Sequence, residues 1–161
     1  MFDEAEKLRI NTFEWKDEFP AIMKAGGFDA VVGNPPYIRI QRIAHVQADY
    51  LFSRFKTPAS KTDLSQLFLE RSLELIGAMG RVGFICTSQW LTTDYGRKMR
   101  SLLSDGLLHQ IVDFGSLPVF ANASTYPAIL ILSKVRAKSV GYKSVAKRSD
   151  LNVNAIELLP I

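Results

Sequence analysis

"FDAVVGNPPYIR", residues 28–39, is the stretch on which the fold turns. Its first half, Phe28-Asp29-Ala30-Val31-Val32, is short, apolar and β-branched, the composition of a buried strand. Its second half leaves that strand on an asparagine, two prolines and a tyrosine. In open α/β sheets a ligand sits beyond the carboxyl ends of the strands, and Asn34, Pro35, Pro36 and Tyr37 occupy such an end. A residue before proline is pushed to extended geometry, so Asn34 is held there. Pro35 and Pro36 fix their own φ and donate no N–H. The loop is therefore stiff, rich in acceptors and poor in competing donors. It suits an exocyclic amino group, whose two N–H bonds need two acceptors: the Asn34 side-chain oxygen and a proline carbonyl. Accepting both hydrogens would draw that nitrogen toward sp³ geometry and aim its lone pair, while Tyr37 lies flat against a planar substrate. The same four residues are also turn vocabulary, with Tyr37 as an ordinary edge of the core. Both readings stand on these residues alone.

Working outward, the chain alternates strands and helices. A short helix is expected over residues 4–10. Pro20 suits the first turn of another, stopped by Gly26-Gly27. Residues 28–33 read as a buried strand. Residues 38–57 show no clean period and are expected to form a long, partly helical loop, of the kind that often carries function. Thr62 or Asp63 then caps an amphipathic helix whose apolar stripe is Leu64, Leu67, Phe68, Leu73, Leu75 and Ile76, ended by Gly80. Strands follow at 81–87, 110–114 and 128–135. Between the first two lies a helix capped by Thr93 or Asp94 and closed near Gly106. The alternation predicts an α/β fold with a mostly parallel sheet and right-handed crossovers. Residues 115–127 leave no room for a crossover helix, so the last strand is expected to run antiparallel to its predecessor.

The 161 residues suffice for one ordinary domain, and 47% hydrophobic with 22% charged residues is a globular composition. No apolar run approaches a membrane span, and the acidic, mixed N-terminus does not read as a secretory signal. The single cysteine, Cys86, excludes a disulfide framework and fits a cytoplasmic, reducing compartment. It lies in the apolar run VGFICTS and reads as core. Net charge is +4, and Lys134, Arg136, Lys138, Lys143, Lys147 and Arg148 form a stretch without acids. That basic tail suits phosphate or is a solvated surface. His45 and His109 stand apart from any cysteine or carboxylate pattern, and no metal-ligand spacing appears.

"FDAVVGNPPYIRIQ" resembles the motif shared by S-adenosylmethionine-dependent amino-methyltransferases, among them N6-adenine DNA methyltransferases and the glutamine methyltransferases of peptide release factors. "SKTDLSQLFLERSLELIGAMGRVGFICTSQWLTTDYGRKMRSLL" and "IVDFGSLPVFANASTYPAILIL" resemble the downstream motifs of gamma-class N6-adenine DNA methyltransferases. They are most similar to those of Type IIG restriction–modification enzymes and related phage-defence methylases. "FEWKDEFPAIMKAGGFDAVVGNPPY" looks like that family too, so the resemblance spans residues 12–135. It implies a Rossmann-like methyltransferase fold, double-stranded DNA as partner and a flipped-out adenine as substrate. By resemblance, Asn34 and the Pro35 carbonyl bond the adenine N6 amino group and Tyr37 stacks on the base. Phe120, in PVFANAS, is a second aromatic contact to the base, and Phe68, in DLSQLF, touches the cofactor's adenine. The transfer is direct and in line, with no covalent enzyme intermediate.

The family's glycine-bearing cofactor turn belongs well upstream of NPPY, and the 33 residues before Asn34 leave no room for it. Residues 1–135 are accordingly expected to be the C-terminal half of a catalytic domain. Residues 136–161 are expected to be a basic linker toward a DNA-recognition domain. In the family's strand order, 3-2-1-4-5-7-6, this chain would hold strands 4, 5, 7 and 6. Residues 28–33 would then present an open edge, and a separate chain with the N-terminal half would complete the enzyme. Alternatives are a protein-glutamine methyltransferase, disfavoured by the TSQW and VFANASTYP segments, and a non-catalytic remnant that binds DNA or a partner.

Overall fold

The computed structural model describes residues 13–120 and 126–147. Two short helices, α1 (Trp15–Glu18) and α2 (Pro20–Lys24), precede strand β1 (Phe28–Gly33). Pro20 opens α2 as expected, and the stop is made by Gly26 and Gly27 at φ 109° and 122°, where a side chain would be strained. The helix expected over residues 4–10 lies outside the described residues.

The long segment after NPPY holds a 3₁₀ turn (Ile40–Arg42) and helix α3 (His45–Arg54). Helix α4 (Leu64–Leu75) follows, capped by Asp63, whose carboxylate accepts from Ser65 N at 2.9 Å. It ends at Leu75 rather than Gly80. Ile76 turns extended (φ −75°, ψ 150°), and strand β2 (Ile76–Thr87) starts there. The cause is tertiary. Residues 77–80 pack against the start of β1 so closely that a Cβ at Gly80 would lie 2.6 Å from the Phe28 carbonyl oxygen. The β1–β2 register shifts between Phe28 and Ala30 at the same place.

Two 3₁₀ turns (Gln89–Leu91 and Asp94–Gly96) lead into helix α5 (Arg97–Leu103). Neither Thr93 nor Asp94 caps it. Gly96 holds the N-cap position, while the Thr93 hydroxyl donates to Gln89 O at 2.9 Å. Strands β3 (Leu108–Asp113), β4 (Pro127–Ser133) and β5 (Gly141–Ser144) complete one sheet of order β1-β2-β4-β3-β5. β1 pairs with β2 and β3 with β5 in parallel, and β4 runs antiparallel to both its neighbours. The antiparallel strand is thus the one expected, and the first four strands stand in the anticipated 4-5-7-6 arrangement. β5 was not foreseen: residues 141–144, expected in a linker, add a further parallel strand to the sheet.

One face of the sheet is the core. Val82, Phe84 and Cys86 of β2 alternate with half-exposed neighbours, and Ala128, Leu130 and Leu132 of β4 face the same way. Leu69 and Leu73 of α4, Met99 and Leu103 of α5, and Trp90 pack onto them. β1 is less buried than its composition predicts. It stands at the sheet edge, paired only with β2 among the described residues, and Val32 is 83% exposed. A β-branched, apolar strand reports what a fold buries when covered, not which edge is covered.

Candidate active site

The carboxyl ends of β1, β2 and β3 form one rim, and NPPY leaves it from β1. Asn34 is exposed, Pro35 buried and Pro36 exposed. All three line a cavity of about 570 Å³ whose other wall is α4, through Leu64, Leu67, Phe68, Arg71, Ser72 and Leu75. Phe68 is 46% exposed, although it was expected in the apolar stripe of its helix. Its neighbour Leu69 is fully buried and holds the core position instead. An aromatic ring left on the cavity side of an anchored helix is available to a flat ligand. Leu51 and Phe55 from the α3 region close the cavity, as does Trp15. Trp15 belongs to an aromatic cluster with Phe13, Phe19 and Phe28, and stacks on Phe19 with ring centroids 5.7 Å apart.

Tyr37 turns away from that cavity and packs against the core. Its ring meets Phe120 edge-on, with centroids 6.1 Å apart and planes at 70°. The two aromatics inferred to hold one base are therefore neighbours, 83 positions apart in sequence, though they do not form a parallel slot. The Tyr37 hydroxyl is buried without a hydrogen-bond partner among the described residues. Burial, with Cys86 and Asp63 nearby, pushes its pKa up to about 12. Tyr37 is thus a neutral ring, not an acid–base group at neutral pH. Burial likewise pushes the Cys86 thiol up to about 12, which removes it as a nucleophile.

The backbone after Tyr37 is clamped to the α4 N-terminus. Leu64 N donates to Ile38 O at 2.8 Å and Ile40 N to Thr62 O at 2.9 Å, so the backbone of Arg39 pairs with that of Asp63 in an isolated antiparallel β-bridge. Sequence reasoning missed a second clamp on α4, made by Glu70. This carboxylate is 5% exposed and accepts from Lys56 N (2.8 Å), Thr57 N (3.0 Å) and the Thr57 hydroxyl (2.6 Å). Arg54 of α3 adds a paired contact to Glu74, which Arg71 also bonds. The cavity wall is therefore tied to its helix by buried and half-exposed polar contacts, not by apolar packing alone. The sequence signal was present, a glutamate on the core side of a helix, but its partners lie 13 and 14 residues away in an irregular stretch.

Residues 2–120 match the profile of the Eco57I restriction-modification methylase family. The chain belongs to that family. The matched segment includes all the candidate residues, from Asn34 to Phe120. Among curated relatives of this Eco57I-type chain, the Type II methyltransferase M.XhoI of Xanthomonas vasicola is 40% identical over 114 residues, covering 70% of this chain and 21% of its own. M.PaeR7I of Pseudomonas aeruginosa is 42% identical over 112 residues, 68% of this chain and 19% of its own. The chain thus spans about a fifth of the length of these relatives. Among solved structures, the Type IIL restriction-modification enzyme MmeI in complex with DNA superimposes with a TM-score of 0.64 at 20% identity, covering 83% of this chain and 18% of MmeI. A Listeria monocytogenes protein described as a class I S-adenosylmethionine-dependent methyltransferase gives 0.61 at 17% identity, covering 81% and 40%. These likenesses establish an α/β fold of the S-adenosylmethionine-dependent methyltransferase type for the Eco57I-family chain.

Proposed function

We propose that this chain carries the base-binding side of an N6-adenine DNA methyltransferase that uses S-adenosylmethionine and serves restriction–modification. The observation that carries the reading is the placement of Asn34 and Pro35 at the carboxyl end of β1, beside an apolar cavity into which α4 presents Phe68. The lining fits the cofactor in part. A flat apolar wall with Phe68, Leu51 and Phe55 suits an adenine ring, and Asn34, Arg71 and Ser72 are the polar groups at hand. When bound, S-adenosylmethionine supplies an electrophilic methyl group on a sulfonium centre.

The chain's own residues orient the nucleophile. The Asn34 side-chain oxygen and the Pro35 carbonyl each accept one N–H of the adenine amino group. That pulls the nitrogen lone pair out of conjugation and aims it. Tyr37 and Phe120 hold the extruded base by stacking and edge contact, repaying a few kcal/mol of unstacking. With Tyr37 neutral and Cys86 inert, no side chain here takes a covalent share, and catalysis is positioning and polarisation. The sheet through β5, with the helices packed on it, acts as the C-terminal half of the catalytic domain. Its partners are double-stranded DNA and the remaining polypeptide of the methylase, in the same chain or another.

The test is a chimera in which residues 13–120 replace the matching segment of M.XhoI. Digested DNA from cells expressing it should contain N6-methyladenine by mass spectrometry. Asn34→Ala in the chimera should lower the signal at least 100-fold. Methylated cytosine in place of N6-methyladenine, or undiminished methylation in the Asn34→Ala chimera, would overturn the reading.

A further inference from the structure

A second cavity, of about 740 Å³, opens on the same rim and is used by nothing described so far. Its lining differs in kind from the first. Ser88 and Gln89 follow β2, Asp113 ends β3 and Tyr126 precedes β4, with Tyr95, Tyr142 and Arg39 completing the wall. Arg39 is the distinctive member. It lies two residues beyond Tyr37, on backbone fastened to the α4 N-terminus on both sides. Its guanidinium lies 5.9 Å above the Tyr95 ring, is exposed, and forms no ion pair among the described residues. A planar cation over a ring, exposed at the edge of a cavity, matches the recognition of a phosphate, with the buried Asp63 carboxylate also within its field. Tyr126 and Tyr142, 45% and 59% exposed, bring aromatic surface on which a base can stack. Asp113 opposes an anion at the β3 end. Its two oxygens are taken by Gly115 N (2.9 Å) and the Tyr142 hydroxyl (3.2 Å), which leaves Arg39 as the anion-binding end.

We infer that this Arg39–tyrosine cavity is a nucleotide subsite that holds the strand beside the target base, with its phosphate on Arg39. The inference rests on the function proposed above and deepens it. Arg39 lies five positions after Asn34, at most about 18 Å of extended chain, so both positions act on one short stretch of strand. Arg39 would thereby be a positioning residue: it fixes the backbone from which the adenine is presented to Asn34.

The test uses the whole 161-residue chain and a fluorescein-labelled single-stranded 12-mer, read by anisotropy over a salt series, in versions with and without adenine. Arg39→Ala should weaken binding of both strands about tenfold and reduce the salt slope by about 0.7, the value for one phosphate contact on a single strand. Arg39→Lys should keep the slope and recover part of the affinity. Arg81→Ala removes the same charge from a different cavity and should change little. Asn34→Ala should erase only the preference for the adenine strand. No binding by the wild-type chain, or equal losses in Arg39→Ala and Arg81→Ala, would overturn the subsite. An Arg39 effect without any adenine preference supports the subsite and counts against the base-site reading alone.

Discussion

Glu70 offers the sharpest test of how the α4 wall of the first cavity is built. Glu70→Gln preserves shape and removes charge. One carboxylate oxygen serves Lys56 N, the other both Thr57 N and the Thr57 hydroxyl. Glutamine has one oxygen. Placed toward Thr57, 1% exposed, it keeps two bonds and sets its NH₂ against the Lys56 N–H. One charge-assisted bond is lost, the other two weaken, and a donor is stranded. Hydrogen bonds to a charged group contribute about 1.5–3 kcal/mol each, and a stranded donor costs up to about 1–3, less at the part-buried Lys56 N. The sum is not additive, and a loss of about 2–3 kcal/mol is expected. Urea unfolding followed by far-UV circular dichroism should show a midpoint about 1–2 M lower with an unchanged slope, given slopes of about 1–3 kcal/mol/M. Thr57→Val should cost less, because it removes only the hydroxyl arm. The double variant should lose less than the sum of the singles, since they share a bond. A Glu70→Gln midpoint within error of wild type would refute the clamp.

Tyr37→Phe deletes a hydroxyl with no partner and should leave stability unchanged or raise it by up to about 1 kcal/mol, whereas Tyr37→Ala should cost about 2 kcal/mol or more through lost packing; a marked loss in the phenylalanine variant on thermal melting would mean the hydroxyl is bonded. Asp63 is raised above the ordinary carboxylate range by burial, partly offset by its bonds to Ser65. The folded state then holds the proton more tightly than the unfolded one, so stability falls as pH climbs from about 4 through the raised value. Asp63→Asn keeps the cap and lacks that penalty, so its stability relative to wild type should grow with pH across this range; a difference flat in pH would contradict the assignment. Glu74 has the opposite sign: burial pushes it up, the Arg54 and Arg71 bonds outweigh that, and its contribution is lost as pH falls. It cancels in the Asp63 comparison. Cys86, fully buried with its thiol near 12, should react with a disulfide reagent at least 10³-fold more slowly in the native chain than in urea.

The position of NPPY was legible in the sequence because it depends on short-range physics. β-branched residues favour extended backbone, and the X-Pro-Pro run forces an abrupt, stiff exit from it. The α4 start was equally legible, since an aspartate before an apolar run is a local signal that the tertiary structure left intact. Three features were settled by the fold rather than by local preference. The end of α4 depended on the Phe28 carbonyl lying close against Gly80. The exposure of Phe68 depended on its neighbour Leu69 taking the core position. β5 depended on the open edge of β3, because Gly141-Tyr142-Lys143-Ser144 has no apolar alternation of its own and is held by parallel pairing to residues 110–113.

Local preferences, acting within a few residues, suffice for the alternating α/β architecture, the antiparallel turn-back at β4 and the acceptor-rich loop at Asn34 and Pro35. The folded packing sets what surrounds that loop. It set Tyr37 edge-on to Phe120, put Phe68 on the cavity side of α4, clamped α4 through Glu70, and aimed Arg39 at a separate cavity. The Glu70 and Tyr37 contacts join residues 13 to 83 positions apart, and no local preference encodes which distant partner a side chain meets.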